Sequence, residues 1–161
     1  MSEGVFKQLC RFRDFGRRNR NYLAAFDEST GNLTTWNPNP NSGVECISVS
    51  GGIVYVGGYF DSIGGQLRNN IAAINKTTGI VTSWNPNPDG SIIQAIGVNG
   101  NNVYIGGNFS SVYNISRNNL AAIDISTGAA TAWNPYADSS VLTIAIINNT
   151  VYVGGSFDSI G

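Results

Sequence analysis

An all-β fold is what this sequence predicts, and three observations carry the prediction. The chain repeats itself with a period of 48 or 49 residues: Trp36, Trp84 and Trp133 each open a Trp-Asn-Pro triplet, and Arg20, Arg68 and Arg117 each precede an Asn. Val, Ile and Thr number 12, 17 and 10, against 8 for Glu, Lys and Gln combined, a balance that favours strands over long helices. Asn (21) and Gly (20) make up a quarter of the 161 residues, and both suit tight turns. A period of roughly 40–50 residues filled with short strands marks a propeller-type array. The expected architecture is therefore about three four-stranded blades, a fragment of a larger propeller.

Each unit reads as four strands in order. The first alternates, with Ile93, Ala95 and Gly97 on one face and Ile96 and Val98 on the other. An Asn99-Gly100 pair then supplies a hairpin turn, with Ser50-Gly51 and Asn148-Asn149 at the same place. The second strand keeps Val54, Val56, Gly58 and Phe60 on one face, with Tyr55 opposite; Val103, Ile105, Gly107 and Phe109 repeat this with Tyr104, and Val151, Val153, Gly155 and Phe157 with Tyr152. The third strand is LAAFD, IAAIN or LAAID. Turns at Asp27–Gly31, Asn75–Gly79 and Asp124–Gly128 lead into a fourth strand, which ends at Trp and is stopped by Asn-Pro. Sheets apolar on both faces need a neighbour on each side, which radial stacking provides.

The repeat also sets the expected boundaries. Phe12, Phe15, Gly16 and Arg20 align with Phe60, Ile63, Gly64 and Arg68, so repeats span 12–161, in units 20–67, 68–116 and 117–161. Residues 1–11 form an atypical N-terminal segment: VFKQLCR stands where IVYVGGY is expected and lacks its Gly pair. The last unit stops at FDSIG, mid-blade. That predicts a fragment of a longer array, with half of a six-bladed dimer as the alternative.

The pattern GGYFDSIGGQLRNNIAAIN, followed by GGNFSSVYNISRNNLAAID and a partial GGSFDSIG, resembles the delta-sixty repeat. That family has units of about fifty residues in which a Gly-Gly-x-Phe strand, an Arg-Asn loop, a Leu-Ala-x-Ile/Leu-Asp/Asn strand and an aromatic-Asn-Pro close recur in this order. The chain is also similar to the propeller repeats of fungal cell-cortex marker proteins. The resemblance covers 12–161, with Trp where bacterial members commonly have Phe. It implies a place in a large secreted or surface-attached protein and no shared enzymatic activity. No family catalytic residue carries over. The second unit departs from the first, having Tyr113-Asn114 where the first has Gly64-Gly65.

Charge and residue content narrow the chemistry. The chain has no His, which removes His-based triads, His metal ligands and His proton shuttles. Net charge is −1, but residues 1–20 carry +4, through Lys7, Arg11, Arg13, Arg17, Arg18 and Arg20 against two acids. The remaining body is acidic and has no basic stripe, so nucleic-acid binding is not expected. Two cysteines, Cys10 and Cys46, permit at most one disulfide and no zinc site. Cys46 falls in a strand-like run, where a free thiol serves as a small apolar side chain. No apolar run approaches the length of a membrane span, and the N-terminus lacks the apolar stretch of a signal peptide.

Residue types that carry chemistry elsewhere obey the repeat here. Arg20, Arg68 and Arg117 read as structural ties from each blade to the next through a carboxylate or loop carbonyls, the alternative being a cationic ring for an anionic ligand. The three Trp read as packing anchors, the alternative being a stacking platform for sugars. Asp61 and Asp158, like Asp27 and Asp124, occupy equivalent positions, whereas a glycosidase needs two carboxylates in distinct roles. Glu28, Glu45, Asp89 and Asp138 read as acids outside the repeat, scattered without a motif. No calcium-loop spacing and no phosphate-binding Gly loop is present. Sequons at Asn32, Asn75, Asn108, Asn114 and Asn148 are about what chance gives for this composition.

The expected function is a non-enzymatic scaffold or binding module of a secreted or cell-surface protein, with a protein or glycan ligand. Its variable loops, Gly64–Leu67 against Tyr113–Ser116, would carry specificity. No catalytic, cofactor or metal residue is assigned. Two alternatives remain: part of a propeller polysaccharide lyase or glycoside hydrolase whose active site lies in missing blades, and a homodimer through exposed blade edges.

Overall fold

The computed structural model describes residues 19–161. The atypical segment 1–11, Phe12, Phe15, Gly16, the basic residues before Arg20 and Cys10 lie outside the described residues. Within them every regular element is a strand, and each sheet is antiparallel.

The first sheet runs β1 (Val44–Ser50), β2 (Ile53–Gly58), β5 (Ile71–Asn75), in that spatial order, with a short hairpin of β3 (Ser62–Ile63) and β4 (Gln66–Leu67) between β2 and β5 in sequence. The second sheet repeats this with β6 (Ile92–Asn99), β7 (Asn102–Asn108) and β10 (Leu120–Asp124), and its short hairpin is β8 (Ser111–Val112) with β9 (Ile115–Ser116). A third sheet pairs β11 (Val141–Ile147) with β12 (Thr150–Gly155). The small hairpins occupy what the sequence reading treats as loops.

Two expectations need correction. The hairpin turns are Gly51-Gly52, Gly100-Asn101 and Asn148-Asn149, so the first two sit one residue later than expected, and Asn99 closes the ladder opposite Asn102. Only the first turn residue takes a positive φ (Gly51 and Gly100 at 56°, Asn148 at 54°), the signature of a II′ turn. The fourth strand shrinks to a single bridge in each unit: Phe26 to Leu33, Ile74 to Val81 and Ile123 to Ala130. Pairing stops because the hydroxyl of Thr82 accepts the Trp84 amide at 3.3 Å, turning the chain away, and Thr34 and Thr131 do the same for Trp36 and Trp133. The Asn-Pro that follows cannot restore the ladder, since Pro has no N–H.

The Gly pairs explain how the sheets approach. A bulge lies between Ile93 and Ala95, opposite Gly107 and Gly106. A Cβ on Gly107 would sit 2.2 Å from the Ile92 carbonyl, and one on Gly58 2.1 Å from that of Gly43. In the first two pairs the first Gly faces the following sheet: a Cβ on Gly57 would meet Ile93 at 2.7 Å, and one on Gly106 would meet Val141 at 2.7 Å. Bulge and close packing thus require the same dipeptide for different reasons.

The inner strands of the first two sheets bury both faces, whereas Ile47 and Val49 of β1 and Leu142, Ile147 and Tyr152 of the third sheet are exposed. Val54, Val56 and Phe60 pack with Leu23, Trp36, Ile63, Ala72, Ile74 and Val81 on one side of the first sheet. On its other side Tyr55, Ile71 and Ala73 pack against Trp84 and against Ile93, Val103 and Ile105 of the second sheet. A third cluster joins Leu120, Ala137 and Val141. Cys46 is a free, half-buried thiol between the first two sheets. Burial pushes its pKa up to about 12, which keeps it protonated and unreactive.

Candidate functional site

The residues singled out from the sequence are largely committed to holding the chain in place. Arg68 sends Nη1 to the Leu67 carbonyl at 2.7 Å and Nη2 to the Thr82 carbonyl at 2.6 Å and to Gln66 Oε1 at 2.8 Å. Arg20 reaches the carbonyls of Asn19 and Thr34, and Arg117 those of Ser116 and Thr131. The ties are to carbonyls rather than carboxylates, and they join two segments of one unit instead of successive blades. The guanidinium fork suits two carbonyls at once. The Trp indoles do link successive sheets: Trp36 Nε1 donates to the Asn75 carbonyl at 3.1 Å, and Trp84 Nε1 to that of Asp124 at 3.0 Å.

The acids are turn formers. Asp124 Oδ1 accepts from the hydroxyl of Ser126 (2.6 Å), the amide of Thr127 (2.8 Å), the hydroxyl of Thr127 (2.9 Å) and the amide of Ser126 (3.0 Å). These bonds hold its pKa at about 2, and Asp27 is held at about 2 by Ser29 and Thr30 in the same way. Asn75 fills this role in the middle turn.

Asp89 and Asp138 are not scattered, which corrects the sequence reading. They stand in register with Asn41, one period apart. Asn41 Oδ1 accepts the amides of Asp61 and Ser62, Asp89 Oδ1 those of Ser110 and Ser111, and Asp138 Oδ1 that of Asp158. Burial alone would raise the Asp89 pKa, but the bonds from Ser110 and Ser111 outweigh it and leave the carboxyl below its usual value. The substitution of Asn41 by Asp in later units hid this equivalence in the sequence. Glu28 and Glu45 are exposed. Among the described residues no three His, Cys, Asp or Glu side chains converge as a metal site would require.

One place does break the repeat. A groove of about 360 Å³ is lined by Ser83 and Asn85 on either side of Trp84, by Tyr113 and Ile115 of the β8–β9 hairpin, and by the segment Thr127–Ala130. The counterparts of Tyr113, Ile115, Ala129 and Ala130 one unit earlier are Gly64, Gln66, Ile80 and Val81. At Gly64 a Cβ would lie 2.8 Å from Val81 Cγ2, so the earlier unit fills the space with valine and needs glycine beside it. The later unit has alanine at 130, which opens room next to a tyrosine.

Tyr113 and Asn114 take φ of 49° and 65°, where the earlier unit uses Gly64 and Gly65 at 60° and 73°. A tyrosine in this region is strained. Its side chain is 64% exposed. Beside it, Asn85 Oδ1 is buried without a hydrogen-bond partner. The sequence reading found the variable loop but not the paired loss of Val81 and Ile80 that opens the groove. Comparing the units position by position would have shown it.

Among the described residues no helix is long and apolar enough to cross a membrane. No family model matches the chain, and no curated protein matches it. Among solved structures it is similar to the crystal structure of the computationally designed Ika4 protein, at 20% identity and a TM-score of 0.59, over 84% of this chain and 74% of that one. At that identity the likeness is one of fold.

Proposed function

We propose that the chain is a non-catalytic binding module, a run of propeller blades of the delta-sixty repeat kind, that takes a neutral glycan in the groove beside Tyr113. The observation that carries this is the coincidence, in one groove, of a strained exposed aromatic, standing where the earlier unit has glycine, with an unpartnered buried acceptor, Asn85 Oδ1. Strain of this kind persists where a side chain is wanted for what it touches. An exposed ring stacks on the C–H face of a sugar, and Asn85 Oδ1 with the hydroxyls of Ser83 and Thr127 offers hydrogen bonds to sugar hydroxyls. The lining holds no charged side chain, which favours a neutral ligand.

A non-catalytic role is supported by the carboxylates: Asp27 and Asp124, at about 2, are held ionised by their own turns, the opposite of the raised pKa a general acid needs. Secretion or cell-surface display follows from the repeat resemblance. The test is titration of the 161-residue chain with neutral oligosaccharides by NMR, following the Tyr113 and Asn85 signals. Shifts confined to the groove, with affinity falling about threefold to tenfold in Tyr113→Gly, are expected for a lost stacking contact. Absence of binding, or binding that Tyr113→Gly leaves unchanged, would overturn the assignment.

A further inference from the structure

A polar cleft of about 420 Å³ opens at the base of the β8–β9 hairpin, where Asp89, Ser91, Asn108, Ser110, Asn118 and Asn119 come together. It shares no lining residue with the groove beside Tyr113. We propose that this cleft binds an amino sugar, with the ammonium on Asp89 and the sugar hydroxyls on the carboxamides and hydroxyl beside it. The assignment stands apart from the one made for the groove.

Three departures from the first unit build the cleft. Where Asn108 and Ser91 stand, the first unit has Tyr59 and Gly43. A Cβ on Gly43 would lie 3.5 Å from the Tyr59 ring, so there the ring covers the glycine. The second unit puts a carboxamide and a hydroxyl in these places, and both line the cleft. The third departure is at Tyr136. Asn69 Nδ2 donates to Asn87 Oδ1 at 2.8 Å, and Asn21 Nδ2 to Asn39 Oδ1 at 2.9 Å. Asn118 is the next donor in this series, but Tyr136 stands in the acceptor's place, at φ 48° against 49° for Asn87. A phenol ring has no carboxamide to take that bond, which leaves the Asn118 side chain to the cleft.

The carboxylate sets the sign of the ligand. In the first unit the acid is Asp61, and Asn41 Nδ2 donates to it at 2.6 Å. In the second unit the acid is Asp89, at the place of Asn41, and Ser110 takes the place of Asp61. Asp89 Oδ1 accepts the amides of Ser110 and Ser111, and Oδ2 accepts the Ser110 hydroxyl at 2.6 Å. Burial works against the charge, but these bonds outweigh it and keep the carboxyl ionised at neutral pH. No Lys or Arg lines the cleft. An ammonium supplies both the missing positive charge and N–H donors for an anionic oxygen.

Size separates an amino sugar from a bare cation. A water-sized species takes about 30 Å³, a small part of this cleft, whereas small-molecule sites run to about 300–1,000 Å³. One carboxylate also gives a calcium ion little of the charge its sites use. Around the charged group, Asn108, Asn118 and Asn119 each carry a carboxamide and Ser91 a hydroxyl, groups that donate to and accept from hydroxyls. One ammonium among several hydroxyls is what an amino sugar presents.

NMR titration of the 161-residue chain with glucosamine at about pH 6, where the amine is protonated, tests this. The expected result is a shift of the Asn108, Ser110 and Asn118 signals. Asp89→Asn is expected to fold, because Asn41 accepts the equivalent pair of amides in the first unit. It should weaken glucosamine binding about tenfold or more through loss of a charge-assisted bond. Asn108→Tyr restores the residue of the first unit and is expected to abolish the shifts while the spectrum stays dispersed. N-Acetylglucosamine keeps the hydroxyls without the charge, and ethylammonium keeps the charge without the hydroxyls. Each is expected to bind at least about tenfold more weakly than glucosamine. Glucosamine shifts confined to Tyr113 and Asn85, no shifts at all, equal affinity for either control, or a folded Asp89→Asn of unchanged affinity would each overturn the inference.

Discussion

Trp84 donates its indole N–H to the backbone carbonyl of Asp124, which lies on the third strand of the next sheet. The same carbonyl accepts the Gly128 amide at 3.0 Å, closing the turn that Asp124 caps with its side chain. Trp36 and Asn75 repeat the arrangement, with Gly79 as the turn donor. One backbone oxygen therefore serves both the turn within a unit and the seam between units. Because Gly128 remains as a donor, Trp84→Phe leaves the oxygen partly satisfied. The expected cost is about 1–2 kcal/mol, a single net hydrogen bond with some lost area. A shift of the urea midpoint at unchanged slope would report it, and Trp133→Phe, at a half-buried position, should cost less.

Acid should loosen the turns that Asp27 and Asp124 cap. Asp27 and Asp124 have folded pKa values of about 2, below the ordinary value of 3.8. A depressed folded pKa gives stability that is present above the unfolded value and is lost as pH falls from about 4 toward 2. Asp124→Asn keeps the acceptor oxygen, as Asn75 does in the middle turn. It is expected to match the wild type near pH 7 and to show a shallower loss of urea midpoint over that acid window. An identical pH dependence in the two proteins would show that the turn carboxylate contributes nothing to it.

The second Gly of each pair should tolerate no side chain. Gly107→Ala places a Cβ against the Ile92 carbonyl, where only backbone movement can relieve the clash. The expected destabilisation is about 3 kcal/mol, at the upper end for overpacking. Gly52→Ala is the matched comparison, with open space around the new methyl and no positive φ, and should be neutral or slightly stabilising. Thermal melts of the two variants would separate a steric requirement from a general cost of replacing glycine.

Tyr113 should be a poor residue for stability. Returning it to the glycine found at position 64 relieves a left-handed backbone in a non-glycine residue, worth about 1 kcal/mol. Tyr113→Gly is therefore expected to raise the melting temperature while weakening glycan binding. A variant that loses both stability and binding would mean the tyrosine packs as a structural element.

The period, the strand-rich composition and the Trp, Gly-Gly and Arg-Asn signatures were enough by themselves to determine an all-β array, the alternation along β2 and β7, and turns capped by Asp27, Asn75 and Asp124. These are local matters, set by side-chain alternation and by side chains bonding to their own backbone. Other features became visible only with the sheets in contact. The fourth strand stops after one bridge because Thr82 and Trp84 turn the chain, and the indoles then find carbonyls about forty residues away in sequence. Asp89 and Asp138 proved equivalent to Asn41 because what they share is a set of amide partners, not a residue type. The groove beside Tyr113 depends on two alanines that lie well along the chain from it. Each rests on which surfaces meet across a seam, and sequence spacing alone does not carry that information.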